Sequence, residues 1–285
     1  MFKNQYYYFV AGLPDFTFDS HKLPFTVAEF KEILYDELKK SDRKLIDKYF
    51  LKDDKSNLFK LIQNEEAEIK ETGVYSRKEL LDAIASIKKN PKAENKDIPK
   101  IFEIFIKEWL KEEAEEENRN LEDMLSSLYM EYGVGIKNTL ISKWFTFNLD
   151  IGNILAAIYA SKHDLDVKRV VVGNNRIANT IRQNSRMRDF GLKLEFESDY
   201  LQALPRIAEE TDIFERERKI DKIRWDWLEE NTVFDYFNIE YLFAYLCKLQ
   251  ILERWVQLNA EEGERVFCDL IENMKKEVKM PDDKH

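Results

Sequence analysis

A glycine between a run of β-branched residues and a predicted helix is the first feature of this sequence that could bind a phosphate. The segment from Val170 to Arg176 reads Val-Val-Val-Gly-Asn-Asn-Arg. Backbone N–H groups at such a turn, together with a helix N-terminus, can hold an anion. The segment has one glycine, no lysine at the expected place and no matching acidic residue, so no nucleotide fingerprint is complete. Two interpretations stay open: a small-molecule enzyme site at the Gly173 corner, or a turn between two helical segments.

A cluster of basic residues surrounds the same glycine and locally reverses the charge of the chain. The 285 residues carry a formal net charge of −10, yet no acidic residue occurs between positions 168 and 188. The basic residues there are Lys168, Arg169, Arg176, Arg182, Arg186 and Arg188. Arg182 and Arg186 are spaced i, i+4 and are expected to share a helical face. We predict that Arg176, Arg182, Arg186 and Arg188 bind an acidic partner surface or membrane head groups. The alternative is a solvated face that acids elsewhere in the fold balance.

The histidines and cysteines do not have the spacing of a metal site. His21, His163 and His285 lie far apart, and neither Cys247 nor Cys268 has a second ligand nearby. Zinc needs at least three such ligands at short spacing. No nucleophile elbow, P-loop or dinucleotide fingerprint occurs either. We therefore predict no metal, no cofactor and no catalytic residue.

Charge and hydropathy exclude several further classes of function. An acidic chain repels the phosphate backbone at long range, so we expect no nucleic-acid partner. No apolar run approaches the roughly 18 residues of a membrane span, and two distant cysteines fit a reducing compartment. The sequence thus predicts a soluble, cytoplasmic protein that works by binding other proteins.

The elements that must position these residues are predicted to be helices. Charged residues make up 35% of the chain, with only 8 Gly and 6 Pro, and this composition favours long helices. Capping boxes and apolar stripes predict helices over Thr26–Lys39, Ser76–Lys88, Asp150–Lys162 and Ile239–Leu258. The aromatic opening, Tyr6–Pro14, could be a strand or the start of a buried helix. We expect an all-α fold of stacked helical subdomains, with at most a minor strand. Residues 1–130 are expected to form an N-terminal helical lobe and residues 131–285 a C-terminal one, which could pack as one unit.

A short motif occurs twice. Asp54 and Asn57 form an Asp-x-x-Asn pattern between an aromatic pair and two apolar residues, and Asp150 and Asn153 repeat it. Because Asp and Asn accept bonds from free donors at helix starts, we predict that both segments begin equivalent helices. A weaker third copy runs from Phe234 to Leu242. Such repeats indicate stacked subdomains built on one plan.

The repeated motif and its surroundings resemble the C-type connector subunit of V/A-type ATP synthases, the counterpart of the V-ATPase d subunit. The resemblance includes residues 150–155, which lead to Gly173, and the aromatic opening Tyr6–Leu13. Near the C-terminus it includes Ala244–Leu246 and the acid-arginine pair within Leu252–Trp255. The sequence departs from the family at Ala157 and Ile158, one of which stands where an arginine is usual. The resemblance is closest to a bacterial family encoded in V-type ATP synthase operons.

This resemblance implies a non-catalytic subunit that couples other subunits of the ATPase mechanically. The connector subunit is all-helical, with three similar subdomains around a funnel, and it sits on the cytoplasmic face of the membrane rotor ring. There it receives the tip of the central stalk. The implied partners are therefore the central-stalk subunits and the rotor ring, with peripheral contact to the membrane and a role in ion transport. A helical adaptor unrelated to the ATPase is the alternative.

Overall fold

The chain folds entirely into α-helices and connecting loops in the residues that the computed structural model describes, 5–115, 121–195 and 198–278. Side chains are described in these ranges except at 112–115, 194–195 and 260–278. The helices are α1 (Tyr7–Ala11), α2 (Val27–Glu37), α3 (Lys40–Gln63), α4 (Arg77–Lys89), α5 (Lys100–Glu115), α6 (Leu121–Val134), α7 (Thr139–Lys162), α8 (Val167–Val170), α9 (Arg176–Gln183), α10 (Leu192–Glu195), α11 (Asp199–Ala208), α12 (Ile213–Asn231) and α13 (Ile239–Val278). The predicted all-α class is confirmed. None of these helices combines the length and the apolar character that a bilayer crossing requires.

Capping boxes begin α2 and α4, as the sequence predicted. Thr26 accepts from the Glu29 N–H at 3.2 Å, and the Glu29 carboxylate accepts from the Thr26 N–H at 2.8 Å. Ser76 and Glu79 exchange the same two bonds, at 3.3 and 2.8 Å. Each box satisfies two backbone donors that a helix start leaves without an intrahelical partner. Local sequence therefore fixes where these two helices begin.

The other two predicted helices are longer than expected. α7 begins at Thr139 rather than Asp150, because Asn138 accepts from the Ile141 N–H at 3.1 Å and caps the helix there. α13 begins at Ile239, where Asn238 accepts from the Tyr241 N–H at 3.1 Å, and runs to Val278. The opening segment forms the short helix α1, so its strand alternative was wrong; none of the residues of α1 is buried, so the expected burial was wrong as well.

Buried apolar side chains from both halves of the chain belong to one hydrophobic cluster. Aromatic rings link distant parts of it: Phe30 lies 4.9 Å from Tyr245, and Tyr49 lies 5.0 Å from Phe243, between ring centroids. Edge-to-face and offset ring pairs of this kind stabilise a core beyond the area they bury. The boundary expected between residues 130 and 131 falls inside α6, which runs without interruption from Leu121 to Val134.

Two helical glycines provide a test of this packing. A Cβ atom at Gly133 in α6 would lie 1.9 Å from the Phe145 ring, whereas one at Gly152 in α7 would meet nothing within 4 Å. We expect Gly133→Ala to lower the free energy of unfolding by about 1–3 kcal/mol, the usual cost of overpacking. Gly152→Ala should raise it by about 0.5–1 kcal/mol, because glycine is a poor helix former. Urea unfolding of the two variants checks the opposite signs, and equal effects would contradict the packing of α6 on α7.

Candidate functional site

The two Asp-x-x-Asn segments lie in the middle of long helices, so their predicted position at helix starts was wrong. α3 begins at Lys40 and α7 at Thr139, and each has 24 residues. Asp54, Asn57, Asp150 and Asn153 are all buried within these helices. The apolar and aromatic residues before each motif belong to the buried face and continue the helix. The four polar side chains are therefore free to bond outside their own helix.

Both asparagines hold a loop further along the chain, the α3–α4 loop and the α8–α9 loop, with the same two bonds. Asn57 Nδ2 donates to the Lys70 carbonyl at 2.9 Å, and the Lys70 N–H donates back to Asn57 Oδ1 at 2.8 Å. Asn153 exchanges the same pair of bonds with Val172, both at 2.8 Å. A side-chain amide is suited to this because it donates and accepts side by side, as a backbone amide does in a strand pair.

The aspartates bond further along the same two loops, just before α4 and α9. Asp54 accepts from the N–H groups of Val74 and Tyr75 at 2.9 Å, directly before α4. Asp150 accepts from Asn175 Nδ2 at 2.8 Å, directly before α9. Burial raises the pKa of each carboxyl group to about 6, against the hydrogen bonds that favour the charged form. The two motifs therefore make corresponding contacts, and we call each one an Asp-Asn brace.

The Gly173 corner lies between α8 and α9, and backbone donors on both sides of it are already bonded within the chain. Gly173 has a φ of +74°, which only glycine adopts without strain, and its Cβ position lies 3.1 Å from Leu149 Cδ2. The backbone donor and acceptor of Val172 are bonded to Asn153. Asn175 accepts from the Ala178 N–H at 2.9 Å and so caps α9. The turn between helical segments is thus the interpretation that the geometry favours.

The predicted arginine site divides into two parts. α9 ends at Gln183, where Asn184 caps it, so Arg186 lies beyond the helix and the predicted common face with Arg182 was wrong. Arg182 donates to the Val171 carbonyl at 2.8 Å and helps to hold the corner. Arg176 is exposed at the first residue of α9, and Arg186 and Arg188 are exposed between α9 and α10. Met187 between them is 42% exposed. We call residues 186–188 the arginine surface.

The acid-arginine pair near the C-terminus binds other helices of the same chain. Glu253 accepts from the Val27 N–H at 2.8 Å and so serves the start of α2. Arg254 donates to Asp221 at 3.1 Å and to Glu217 at 2.9 Å, both on α12. Trp255 Nε1 also donates to Asp221, at 3.0 Å. Asp221 is only 2% exposed, so these donors are what make its burial tolerable.

A lysine-lined cavity lies between α2, α3, α6 and α13, and no sequence pattern predicted it. It has a volume of about 950 Å³, with Lys52, Lys55, Lys60 and Lys70 among its lining residues. Burial lowers the pKa of Lys52 to about 8. A neutral lysine amine is a nucleophile, but here Lys52 Nζ donates to Gln250 and lies 3.4 Å from the Tyr49 hydroxyl. Nothing in the charge pattern of α3 marks this lysine, because the Gln250 side chain that it bonds lies on α13.

Metal-binding side chains are not brought together in the part of the chain that the structure describes. No group of three or more His, Cys, Asp or Glu residues there could hold an ion. Cys247 is buried, and burial raises the pKa of its thiol to about 12. His285 and the side chain of Cys268 lie outside the described residues.

The comparisons with known proteins give one match. Residues 3–278 match a protein family described as "Protein of unknown function (DUF2764)". No curated protein and no solved structure matches the chain.

The Asn153 brace can be tested by truncation. Asn153→Ala leaves the N–H and the carbonyl of Val172 without their partners, so we expect a loss of about 2–4 kcal/mol in the free energy of unfolding. Asn179→Ala is the matched control, because Asn179 is exposed, donates to the Asn174 carbonyl and accepts only a long bond of 3.4 Å from Arg182. Its loss should stay below about 1 kcal/mol. If the two variants lose similar amounts of unfolding free energy, the bonds from Asn153 to Val172 do not stabilise the loop.

Asp150 makes stability depend on pH in an unusual direction. Its folded pKa of about 6 lies above the ordinary value of 3.8. Between these values the unfolded chain loses its proton first, so this group lowers stability as the pH rises from about 4 to 6. Asp150→Asn removes the titration while the amide oxygen can still accept from Asn175. The variant's stability relative to the natural chain should therefore rise by up to about 3 kcal/mol between pH 4 and 7. A difference that does not change with pH would contradict the raised pKa.

Proposed function

We propose that this chain, which belongs to the DUF2764 family, is a non-catalytic subunit of a bacterial V-type ATPase or ATP synthase. In this role it couples the central stalk to the membrane rotor ring during ion transport. It lies on the cytoplasmic face of the membrane, in the position of the connector subunit, and touches the membrane surface only peripherally. The function requires no cofactor and no nucleic acid.

The repeated Asp-Asn brace is the observation that carries this proposal. A 24-residue helix, a braced loop and a capped later helix occur around Asp54 and again around Asp150, where the short helix α8 is inserted before the loop. The resemblance to the connector subunit implies helical subdomains of similar construction, and two such units support it. The weaker third copy differs, because its Asn238 caps the start of α13 instead of holding a following loop.

Internal rigidity is the second support. A part that passes torque between two partners must resist bending, and local opening is easiest where loops lack bonded backbone groups. Here the loops before α4 and α9 are held by buried side chains. The Asp221 contacts tie α12 to α13, with Arg254 and Trp255 both donating to one carboxylate.

The alternatives differ in what they require. A small-molecule enzyme at the Gly173 corner needs free backbone donors, and those of Val172 and Ala178 are bonded to Asn153 and Asn175. A helical adaptor unrelated to the ATPase needs only an exposed docking surface. The arginine surface is therefore compatible with this alternative as well as with the leading proposal. Identification of the binding partners separates these two possibilities.

The arginine surface gives the decisive experiment. Arg186→Glu with Arg188→Glu places two acids where we expect an acidic partner, so association with purified stalk and rotor-ring subunits should slow by about tenfold. The association rate of this variant should also depend less steeply on salt concentration. Lys78→Glu with Lys89→Glu is the matched control, because both lysines are exposed on α4. All four substitutions lie on the surface, so unfolding free energies should change by less than about 0.5 kcal/mol.

Two outcomes count against the proposal in different ways. If the natural chain binds neither stalk nor ring subunits, the ATPase assignment fails, and a pull-down that recovers other proteins favours the adaptor. If the natural chain binds but both double variants bind equally well, the ATPase assignment stands and the arginine surface is not its docking site. Stopped-flow association at several salt concentrations distinguishes these results.

A further inference from the structure

A second cavity, of about 530 Å³, lies between α7, α11 and α12 and is lined by aromatic and acidic side chains. Phe147 of α7, Tyr200 of α11 and Trp227 of α12 provide its aromatic wall. The ring centroids of Phe147 and Trp227 are 5.0 Å apart in a stacked pair, and Tyr200 meets Phe147 edge-on at 5.0 Å. The cavity therefore has a fixed aromatic wall built from three helices.

All the charged residues that line this cavity are acidic. Asp199, Asp226 and Glu230 line it, and no lysine or arginine does. Asp199 and Glu230 are exposed, whereas Asp226 is half-buried and accepts from Lys222 at one oxygen. Carboxylates near aromatic rings in a concave site attract a cation by charge and by the ring quadrupole together.

The chain's own cations stack on other aromatic rings but not on these. Lys31 lies 4.6 Å from the Phe50 ring centroid, Lys248 lies 5.1 Å from that of Trp225, and Arg218 lies 5.0 Å from that of Phe18. Within the described side chains, no lysine or arginine takes such a position over Phe147, Tyr200 or Trp227. Tyr200 and Trp227 are half-buried and so reach the cavity, whereas Phe147 is 3% exposed and packs behind them.

We propose that the cavity between Phe147, Tyr200 and Trp227 binds an organic cation, either a free ammonium compound or the arginine side chain of a partner. The apolar part of the cation packs against Tyr200 and Trp227, which Phe147 supports from behind. Its charge faces Asp199, Glu230 and the second oxygen of Asp226. The site is independent of the arginine surface, which carries the opposite charge and attracts an acidic partner.

The two sources of the cation can be distinguished with defined probes. Tetramethylammonium stands for a free ammonium ligand, and a blocked Gly-Ser-Arg-Ser-Gly peptide stands for a partner's arginine. The same peptide with citrulline in place of arginine keeps the shape and removes the charge. We follow the Trp227 indole N–H resonance of the full chain, assigned by its loss in Trp227→Phe, and measure affinity by calorimetry.

We expect at least one cationic probe to shift the Trp227 resonance and to bind saturably, and the citrulline peptide to bind at least tenfold more weakly. Asp199→Asn with Glu230→Gln should weaken cation binding by about tenfold, since two exposed charges are lost. Both positions are exposed, so this variant should fold normally. Asp97→Asn with Glu37→Gln is the matched control, because both acids are exposed elsewhere on the chain.

Tighter binding of the arginine peptide identifies a partner's side chain, and tighter binding of tetramethylammonium identifies a free ligand. The proposal is overturned if neither cation moves the Trp227 resonance, or if the citrulline and arginine peptides bind equally. Equal binding by the natural chain and the Asp199 and Glu230 double variant overturns it as well. The affinity of the Asp199→Asn, Glu230→Gln variant, measured by calorimetry, tests the proposal even if Trp227→Phe fails to fold.

Discussion

Buried backbone N–H and C=O groups must find partners, and this requirement governs how the loops of this protein are held. A loop that packs against a helix loses water from its peptide groups, and each group left unbonded costs free energy comparable to a lost hydrogen bond. The chain meets the requirement twice with one device, a buried asparagine in the middle of a 24-residue helix that bonds both backbone groups of one loop residue. The path of each loop follows from that contact, whereas local caps begin the helix after it.

The same Asp-x-x-Asn motif also buries a carboxyl group, and burial of its charged form costs free energy. Asp54 and Asp150 sit one helical turn before the asparagines and are buried, so burial raises the pKa of both carboxyl groups to about 6. Asp221 is buried as well, but arginine and tryptophan donors on α13 and an arginine on α12 surround it. Buried acids that bond several segments fix one arrangement of helices, because a shifted helix would leave a desolvated charge without its donors. Such an arrangement suits a part that must stay stiff under torque.

The surface presents two sites of opposite charge that are separate in sequence. The arginine surface lies between α9 and α10, and the aromatic cavity with its three acids lies between α7, α11 and α12. A chain of net charge −10 repels acidic partners at long range, so a local cluster of arginines serves orientation more than overall attraction. If both proposed sites are occupied, the chain contacts two ligands or partners of opposite charge.

The fold class and several helix starts could be predicted from the sequence, because they depend on interactions between residues that are close along the chain. The capping boxes at Thr26 and Ser76 act over three residues, and the apolar stripes over one or two turns, so both could be read directly. The repeat of Asp54 and Asn57 at Asp150 and Asn153 was also visible, but its role was not. The groups that these side chains bond lie 13 to 25 residues away, a distance that no local pattern specifies.

Only the tertiary structure decided which polar residues face the solvent and which hold the fold together. Arg182 and Arg186 look alike in the sequence, yet one bonds the Val171 carbonyl and the other is exposed, because α9 ends at Gln183 between them. The aromatic cavity depends on Phe147, Tyr200 and Trp227, which lie on three helices. Contacts between distant segments depend on how whole helices pack, and packing is set by the sum of many buried surfaces rather than by the residues next to each site.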